Sequence, residues 1–383
     1  MKIRRNDPCP CGALRPDGKP KKYKHCCLNK AIPPVPAEVI EHFKNLPREP
    51  FEKGGFLTGR PFIGTIFKGH RIRAVGSTVY KRPLDETFHI FLLRTLSRWL
   101  TQKWFDDEIK KRKPHPIIQW YLETDKIIAI GSDRERVSEK VSGVKLTGSM
   151  RSLLSLAYDF YSLKHCSASV LPKLLNRLRN EREFQGARYE IAIGGLASRA
   201  GFQINWINDN GKHCEFIGTH KITGDKAAFE AKSHRREGVL GYGDGNFNQE
   251  EARVKIFDHV REAVNQRPSE DIPLIIFDDL NLPLTSGVPT NEKLWFKEVE
   301  KQLEQYGFYS LDEYKRCGAL FITNFSWHFH YKLPPQKNEL LVHFHLNSKY
   351  SLKQETIQYL NLAAEQHGHV PAMLDELKEA KLV

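Results

Sequence analysis

Apolar residues change their spacing along this chain, and the change separates helical from extended parts. Between 85 and 113, Phe88, Phe91, Leu92, Leu96 and Leu100 recur near the helical repeat, and residues 149–164 and 170–200 also read as helices. The last of these is expected to break near Gly186 and to stop at Gly201, a residue type that ends helices because it enters left-handed backbone freely. From Phe202 the period drops to two. Phe202 to Ile207 alternates as a half-buried strand does, and Cys214 to Lys221 and Ala227 to Ser233 read as two further strands joined by the turn Thr223-Gly224-Asp225. The pattern continues with a helix over 248–266, an apolar strand from Pro273 to Asp278 and a helix over 291–306. Strands at 318–325, 326–332 and 339–346 and an amphipathic helix over 352–380 complete it. Helix, three strands, helix, strand, helix is the order of an α/β core. Upstream, Phe51 to Arg82 mixes glycines and β-branched residues and predicts one or two short strands.

The length of 383 residues exceeds one typical domain of roughly 100–200 residues. Residues 1–30, rich in Cys, Lys and Pro, form a candidate module, and 31–48 a linker, because Ala31-Ile32-Pro33-Pro34-Val35-Pro36 favours extended backbone. An α+β domain over 49–170, an α/β core over 171–350 and a C-terminal helical segment over 351–383 follow. No run of roughly 18 apolar residues is present, so no membrane partner is expected. The start, Met1-Lys2-Ile3-Arg4-Arg5-Asn6-Asp7, lacks the apolar stretch of a secretory signal, which points to a cytoplasmic protein. A net charge of +13 favours a nucleic-acid partner, since Lys and Arg neutralise phosphates and release counterions.

Of seven cysteines, Cys9, Cys11, Cys26 and Cys27 crowd into the first stretch, while Cys166, Cys214 and Cys317 are scattered. An odd number with a tight cluster argues against a disulfide framework and for one metal site in a reducing compartment. Four thiolates saturate tetrahedral Zn²⁺, which makes the site structural, and the metal supplies most of the folding free energy of so short a segment. His25 is a less favoured replacement ligand. The stretches Arg5-Asn6-Asp7-Pro8-Cys9-Pro10-Cys11-Gly12 and Lys21-Lys22-Tyr23-Lys24-His25-Cys26-Cys27 resemble the SEC-C module, a zinc-binding docking device of a protein translocase motor. The segment between the cysteine pairs is longer here, with Arg15-Pro16-Asp17-Gly18 reading as a turn inserted at the loop tip. The resemblance implies docking to a protein partner, and Lys19, Lys21, Lys22 and Lys24 offer nucleic acid as the other choice.

Phe229-Glu230-Ala231-Lys232 lies on an expected strand, so Glu230 and Lys232 share a face. A carboxylate there can hold Mg²⁺ or Mn²⁺, and an ammonium beside it can orient water or stabilise developing phosphorane charge. Hairpin pairing brings Glu215 towards Glu230, and Glu190 sits on the helix that leads into the sheet. Lys221, Lys226, His234, Arg235 and Arg236 supply positive charge for a phosphodiester. The arrangement is similar to the PD-(D/E)xK, or restriction-endonuclease-like, nucleases over roughly residues 180–280. That resemblance implies a mixed sheet flanked by helices, with Glu190 as the helix acid, Glu215 as the second acid, and Glu230 and Lys232 as the E-x-K triplet. It further implies Mg²⁺ or Mn²⁺ on Glu215 and Glu230, and DNA as the substrate. The family's second acid is usually Asp, often after Pro, whereas here it is Glu after Cys214; Asp225 is a rival ligand.

The Gly-rich loop Gly238 to Gly245 is no P-loop, because no Gly-Lys-Ser/Thr follows. Trp327-His328-Phe329-His330 and His343-Phe344-His345 are expected on neighbouring strands, where half-buried rings are commoner than a metal site. Asp278-Asp279 reads as a strand-to-turn transition that can also join the metal site. Two functions remain: a metal-dependent nuclease, or a non-catalytic interaction protein that docks a partner or ribosome and binds nucleic acid without cutting.

Overall fold

The computed structural model describes residues 64–371 except Ser77 and the segments 131–133, 137–141, 167–171, 208–212, 237–239, 241–253, 267–270, 284–287, 329–336 and 346–348. Of the first 63 residues it describes Asn6, Asp17, Lys19, Lys22 and His25. Cys9, Cys11, Cys26 and Cys27, and with them the expected zinc module and linker, lie outside the described residues.

The centre is a mixed sheet of six strands: β6 (Phe202–Trp206), β7 (Phe216–His220), β8 (Lys226–Ser233), β9 (Leu274–Asp279), β10 (Cys317–Asn324) and β11 (Glu339–Phe344). They lie side by side in chain order. β6, β7 and β8 form an antiparallel meander, β9 and β10 join in parallel, and β11 returns antiparallel. The β7–β8 turn closes at Gly224, whose φ of +77° suits a residue without a Cβ. β9 and β10 are buried on both faces and read as continuous apolar runs, as central strands should. Period two then sorts their side chains. Phe229, Phe277 and Phe321 enter one hydrophobic core, and Ala228, Ile276 and Leu320 enter the other.

The first core is built on α6 (Phe184–Arg199), in which every residue but Gly186 is buried. It lies between the sheet and α4 (Gly148–Cys166), itself almost wholly buried. Two arginines of α6 converge on one carboxylate of α4: Arg188 donates to Asp159 Oδ2 at 2.8 Å and Arg199 to Asp159 Oδ1 at 3.0 Å. Gly195 permits this approach, because a Cβ there would meet Asp159 Oδ1 at 2.7 Å. α1 (Phe88–Trp99), α2 (Gln102–Ile109), α3 (Pro116–Ile130), α5 (Pro172–Arg179) and α9 (Gln354–Glu365) extend the same side. A three-stranded antiparallel sheet, β1 (Gly64–Phe67), β2 (His70–Val75) and β3 (Thr78–Arg82), rests against them. β4 (Arg134–Arg136) and β5 (Ser142–Val144) form a small separate pair. On the opposite face α7 (Ile256–Asn265) and α8 (Leu294–Gln305) cover the second core through Val260, Ala263, Trp295 and Val299.

Several expectations are corrected. The helix expected over 85–113 is two helices, because the chain turns at Thr101, whose φ is +64°. The helix over 170–200 breaks at 180–183 rather than at Gly186. The strand expected at 326–332 begins as a short 3-10 turn, Ser326–His328, after β10 has ended. α3 was not anticipated. The expected boundary at residue 170 falls inside one continuous core, which takes Phe88 and Leu163 from before it and Leu196 and Leu360 from after it. No described helix is long and apolar enough to cross a membrane.

Gly195→Ala is expected to force α4 and α6 apart and to lower the unfolding free energy by about 1–3 kcal/mol in urea denaturation. Acid sensitivity is expected from His115, which is packed 4.7 Å from Phe184 and held down to about 3 by burial. Its folded value lies below its unfolded value, so its neutral form is fully compatible with folding above about pH 6.5. As pH falls from there towards 3, stability is lost at a limiting slope of about 1.4 kcal/mol per pH unit. Urea titrations of wild type and His115→Asn between these pH values check this, and the variant should show a flatter dependence.

Candidate functional site

β7 pairs with β8 from Phe216 to Thr219 against Phe229 to Lys226, and there the pairing stops. Beyond Phe229 the described pairing of β8 is with β9 alone. Glu215 stands just past the last β7–β8 pair, fixed by its N–H donating to the Phe229 carbonyl at 2.9 Å. Glu230 is the next residue of β8 and is 2% exposed. Glu190 reaches the same region from α6, where its charge acts on Glu215. Three elements thus bring the three sequence-identified acids into one electrostatic neighbourhood.

Two cations answer them. Arg177 of α5 forks onto Glu190, with Nη2 at 2.6 Å from Oε1 and Nη1 at 2.8 Å from Oε2. Lys232 Nζ lies 3.1 Å from Glu230 Oε1 and donates to Gln266 Oε1 of α7 at 2.8 Å. Burial raises Glu215 well above the usual carboxylate range, and the charges of Glu190 and Glu230 push it further. Burial raises Glu230 to about 7, with Lys232 opposing the shift. Glu230 Oε2 is buried without a hydrogen-bond partner. A desolvated set of acids with one oxygen left unanswered suits a hard divalent cation such as Mg²⁺, which takes oxygen ligands. Arg177 is the residue that sequence reasoning missed here; its side chain comes from a different helix, and no local pattern links it to Glu190.

The face that carries Glu230 and Lys232 continues to His234, and a second cluster forms there. Lys232 stands opposite Asp278 in the β8–β9 register. His234 Nε2 lies 3.4 Å from Asp278 Oδ1, and His259 Nδ1 of α7 lies 2.8 Å from Asp278 Oδ2. Among the described residues this is the trio of His, Cys, Asp and Glu whose donor atoms all fall within 4.8 Å of one another. Burial holds His234 down to about 4, against the pull of Asp278. For His259 burial also lowers the value, but the hydrogen bond with Asp278 and that carboxylate's charge outweigh it, and the net shift is upward. Asp278 thus belongs to a side-chain cluster rather than to a plain strand-to-turn transition. Asp279 points to the opposite face, where it accepts from Thr323 Oγ1 at 2.9 Å and burial lifts it to about 7.

The basic residues do not form one patch. Lys221 and Lys226 belong to the turn end of the hairpin, where the Lys221 amine lies 4.0 Å from Cys166 Sγ. Arg235 and Arg236 follow the other end of β8, with Arg236 Nε donating to the Leu280 carbonyl at 2.8 Å. Asp225, the rival ligand, is away from the acids: its Oδ2 accepts from Lys353 N at 3.0 Å and Thr356 Oγ1 at 2.5 Å at the start of α9. His328 packs on Trp327 and lies 3.4 Å from Asn281 Oδ1, whereas His343 sits between Tyr309 and Glu300 at 2.9 and 3.3 Å. The described histidines of the two expected strands therefore have separate partners, and His330 lies outside the described residues. So does the Gly-rich loop, apart from Leu240. No known family matches the chain, and neither a curated protein nor a solved structure matches it.

Arg177→Ala should lower the unfolding free energy by about 1–3 kcal/mol, less than for a fully buried pair because its side chain is 32% exposed. Glu190→Gln in the same background should recover part of that loss. Urea unfolding of the two single variants and the double variant measures the coupling; additive effects would mean that the pair does not stabilise the site.

Proposed function

We propose that the protein is a metal-dependent nuclease, hydrolysing phosphodiesters to a phosphomonoester and a free hydroxyl, with DNA as the substrate class to test first. The observation that carries this reading is the meeting of Glu190, Glu215 and Glu230 beside Lys232 where β7 parts from β8. The element order supports it: α6, the meander β6–β7–β8, α7 on the other face, then β9 parallel to β8. That order agrees with the helix, three strands, helix and strand that the apolar spacing predicts for an α/β core.

Glu215 and Glu230 are the proposed ligands of Mg²⁺ or Mn²⁺, and Glu190 supports its water shell. When bound, the ion supplies positive charge to offset charge developing on the phosphoryl oxygens. Lys232, held by Glu230 and Gln266, orients the attacking water or stabilises the pentacoordinate phosphorus through its ammonium. Zinc on Cys9, Cys11, Cys26 and Cys27, and partner docking through that module, remain part of the same proposal. The non-catalytic alternative has one feature in its favour: Arg177 already neutralises Glu190.

Cleavage of plasmid and of short single-stranded DNA and RNA, with Mg²⁺ or Mn²⁺, separates the readings. Wild type should cut, and Glu230→Gln and Lys232→Ala should each lose about 10²-fold or more in rate, the scale of losing a group that stabilises transition-state charge. Cutting that persists unchanged in both variants would refute the assignment. Binding without cutting by any form would favour the docking protein.

A further inference from the structure

We propose that His234, His259 and Asp278 form a second metal site, specific for a divalent transition ion such as Zn²⁺ and separate from the glutamate centre. Three elements deliver its donors: His234 follows the end of β8, Asp278 lies near the end of β9, and His259 projects from α7. The main chain fixes the first, since His234 N donates to the Asp279 carbonyl at 2.9 Å.

The charge there is poorly answered by protein alone. The Asp278 side chain is fully buried and that of His234 is 10% exposed. Asp278 Oδ1 and His234 Nε2 face each other at 3.4 Å, yet neither has a hydrogen-bond partner. Buried polar atoms are almost always matched by a partner, so such a pair calls for a ligand. Their separation fits a cation between them. Tetrahedral Zn²⁺ with ligands at about 2.0–2.1 Å places neighbouring donors about 3.3–3.4 Å apart.

The donor set selects the ion. Two imidazoles and one carboxylate suit Zn²⁺, Co²⁺ or Fe²⁺, whereas Mg²⁺ prefers oxygen throughout. Binding through His259 Nδ1 exchanges its hydrogen bond with Asp278 for coordination; the Nδ1 proton passes to solvent from a cationic ring and to Nε2 in a neutral one. Three protein ligands leave a fourth position for water or an anionic oxygen. Four residue steps along the chain lead from Glu230 to His234, about 13 Å at strand rise. Paired catalytic metals sit about 3.5–4 Å apart, so this is a distinct centre.

The test uses the full chain, stripped with chelator and dialysed against Zn²⁺, with zinc per chain counted in wild type, His259→Gln and His234→Ala. Each variant should hold one equivalent less than wild type; equal counts in all three would overturn the site. His259→Gln decides if His234→Ala does not fold, because its side chain is the more exposed and Gln keeps a hydrogen-bonding group against Asp278. Its far-UV circular dichroism in chelator should match wild type. With Co²⁺ in place of Zn²⁺, the wild-type minus His259→Gln spectrum should show visible d–d bands without thiolate charge transfer. Charge transfer in that difference would assign the lost ion to the cysteines and overturn the proposal. Glu230→Gln should keep the equivalent, so a failure of the nuclease reading leaves this count standing.

Discussion

The rest of the fold depends on how closely α6 is held against α4. Asp159 is buried and shared by Arg188 and Arg199, with Ser155 and Ser162 accepting further hydrogens from the two guanidiniums. Bringing these charges out of water is costly, and their attraction repays it only in one geometry. The interaction therefore fixes the rotation and height of α6 more than it adds stability. Glu190 lies two residues beyond Arg188, so the same constraint sets where that carboxylate meets the sheet. Gly195 makes the close approach possible, and the sheet is then packed against the other side of the helix.

Where β7 parts from β8 the electrostatics run the other way. In the ion cluster of α4 and α6 the cations outnumber the acid, whereas Glu190, Glu215 and Glu230 outnumber Arg177 and Lys232. Burial then favours protonation of Glu215 and Glu230, and a divalent ion would reverse that preference by supplying the missing charge. β7 begins at Phe216 while β8 continues to Ser233. The unequal strand lengths leave Glu230 and Lys232 on a stretch of β8 whose described pairing is with β9.

Much of this was legible because it is local. The hairpin about Gly224 follows from turn chemistry, the apolar run from Leu274 from burial on both faces, and the shared face of Glu230 and Lys232 from the strand period. What was hidden depends on distant pairing. Arg177 meets Glu190 across an interhelical turn, His259 meets Asp278 from another helix, and the basic residues near β8 divide because a strand carries its two ends apart. α3 escaped notice because its apolar residues face more than one neighbour and blur the helical repeat: Ile117, Ile118 and Trp120 are all buried. Thr101 was equally unreadable, since a β-branched residue at positive φ goes against its own preference.

Asp225, at the tip of the β7–β8 hairpin, accepts hydrogen bonds from Lys353 and Thr356. Thr356 lies 131 residues further along the chain, so on a ribosome it is made long after the strand that carries Glu230. The hairpin can form early from local contacts, but its turn is clamped only once α9 has emerged and docked. Closing so long a loop is entropically slow, and that places completion of the acidic cluster's scaffold near the end of synthesis.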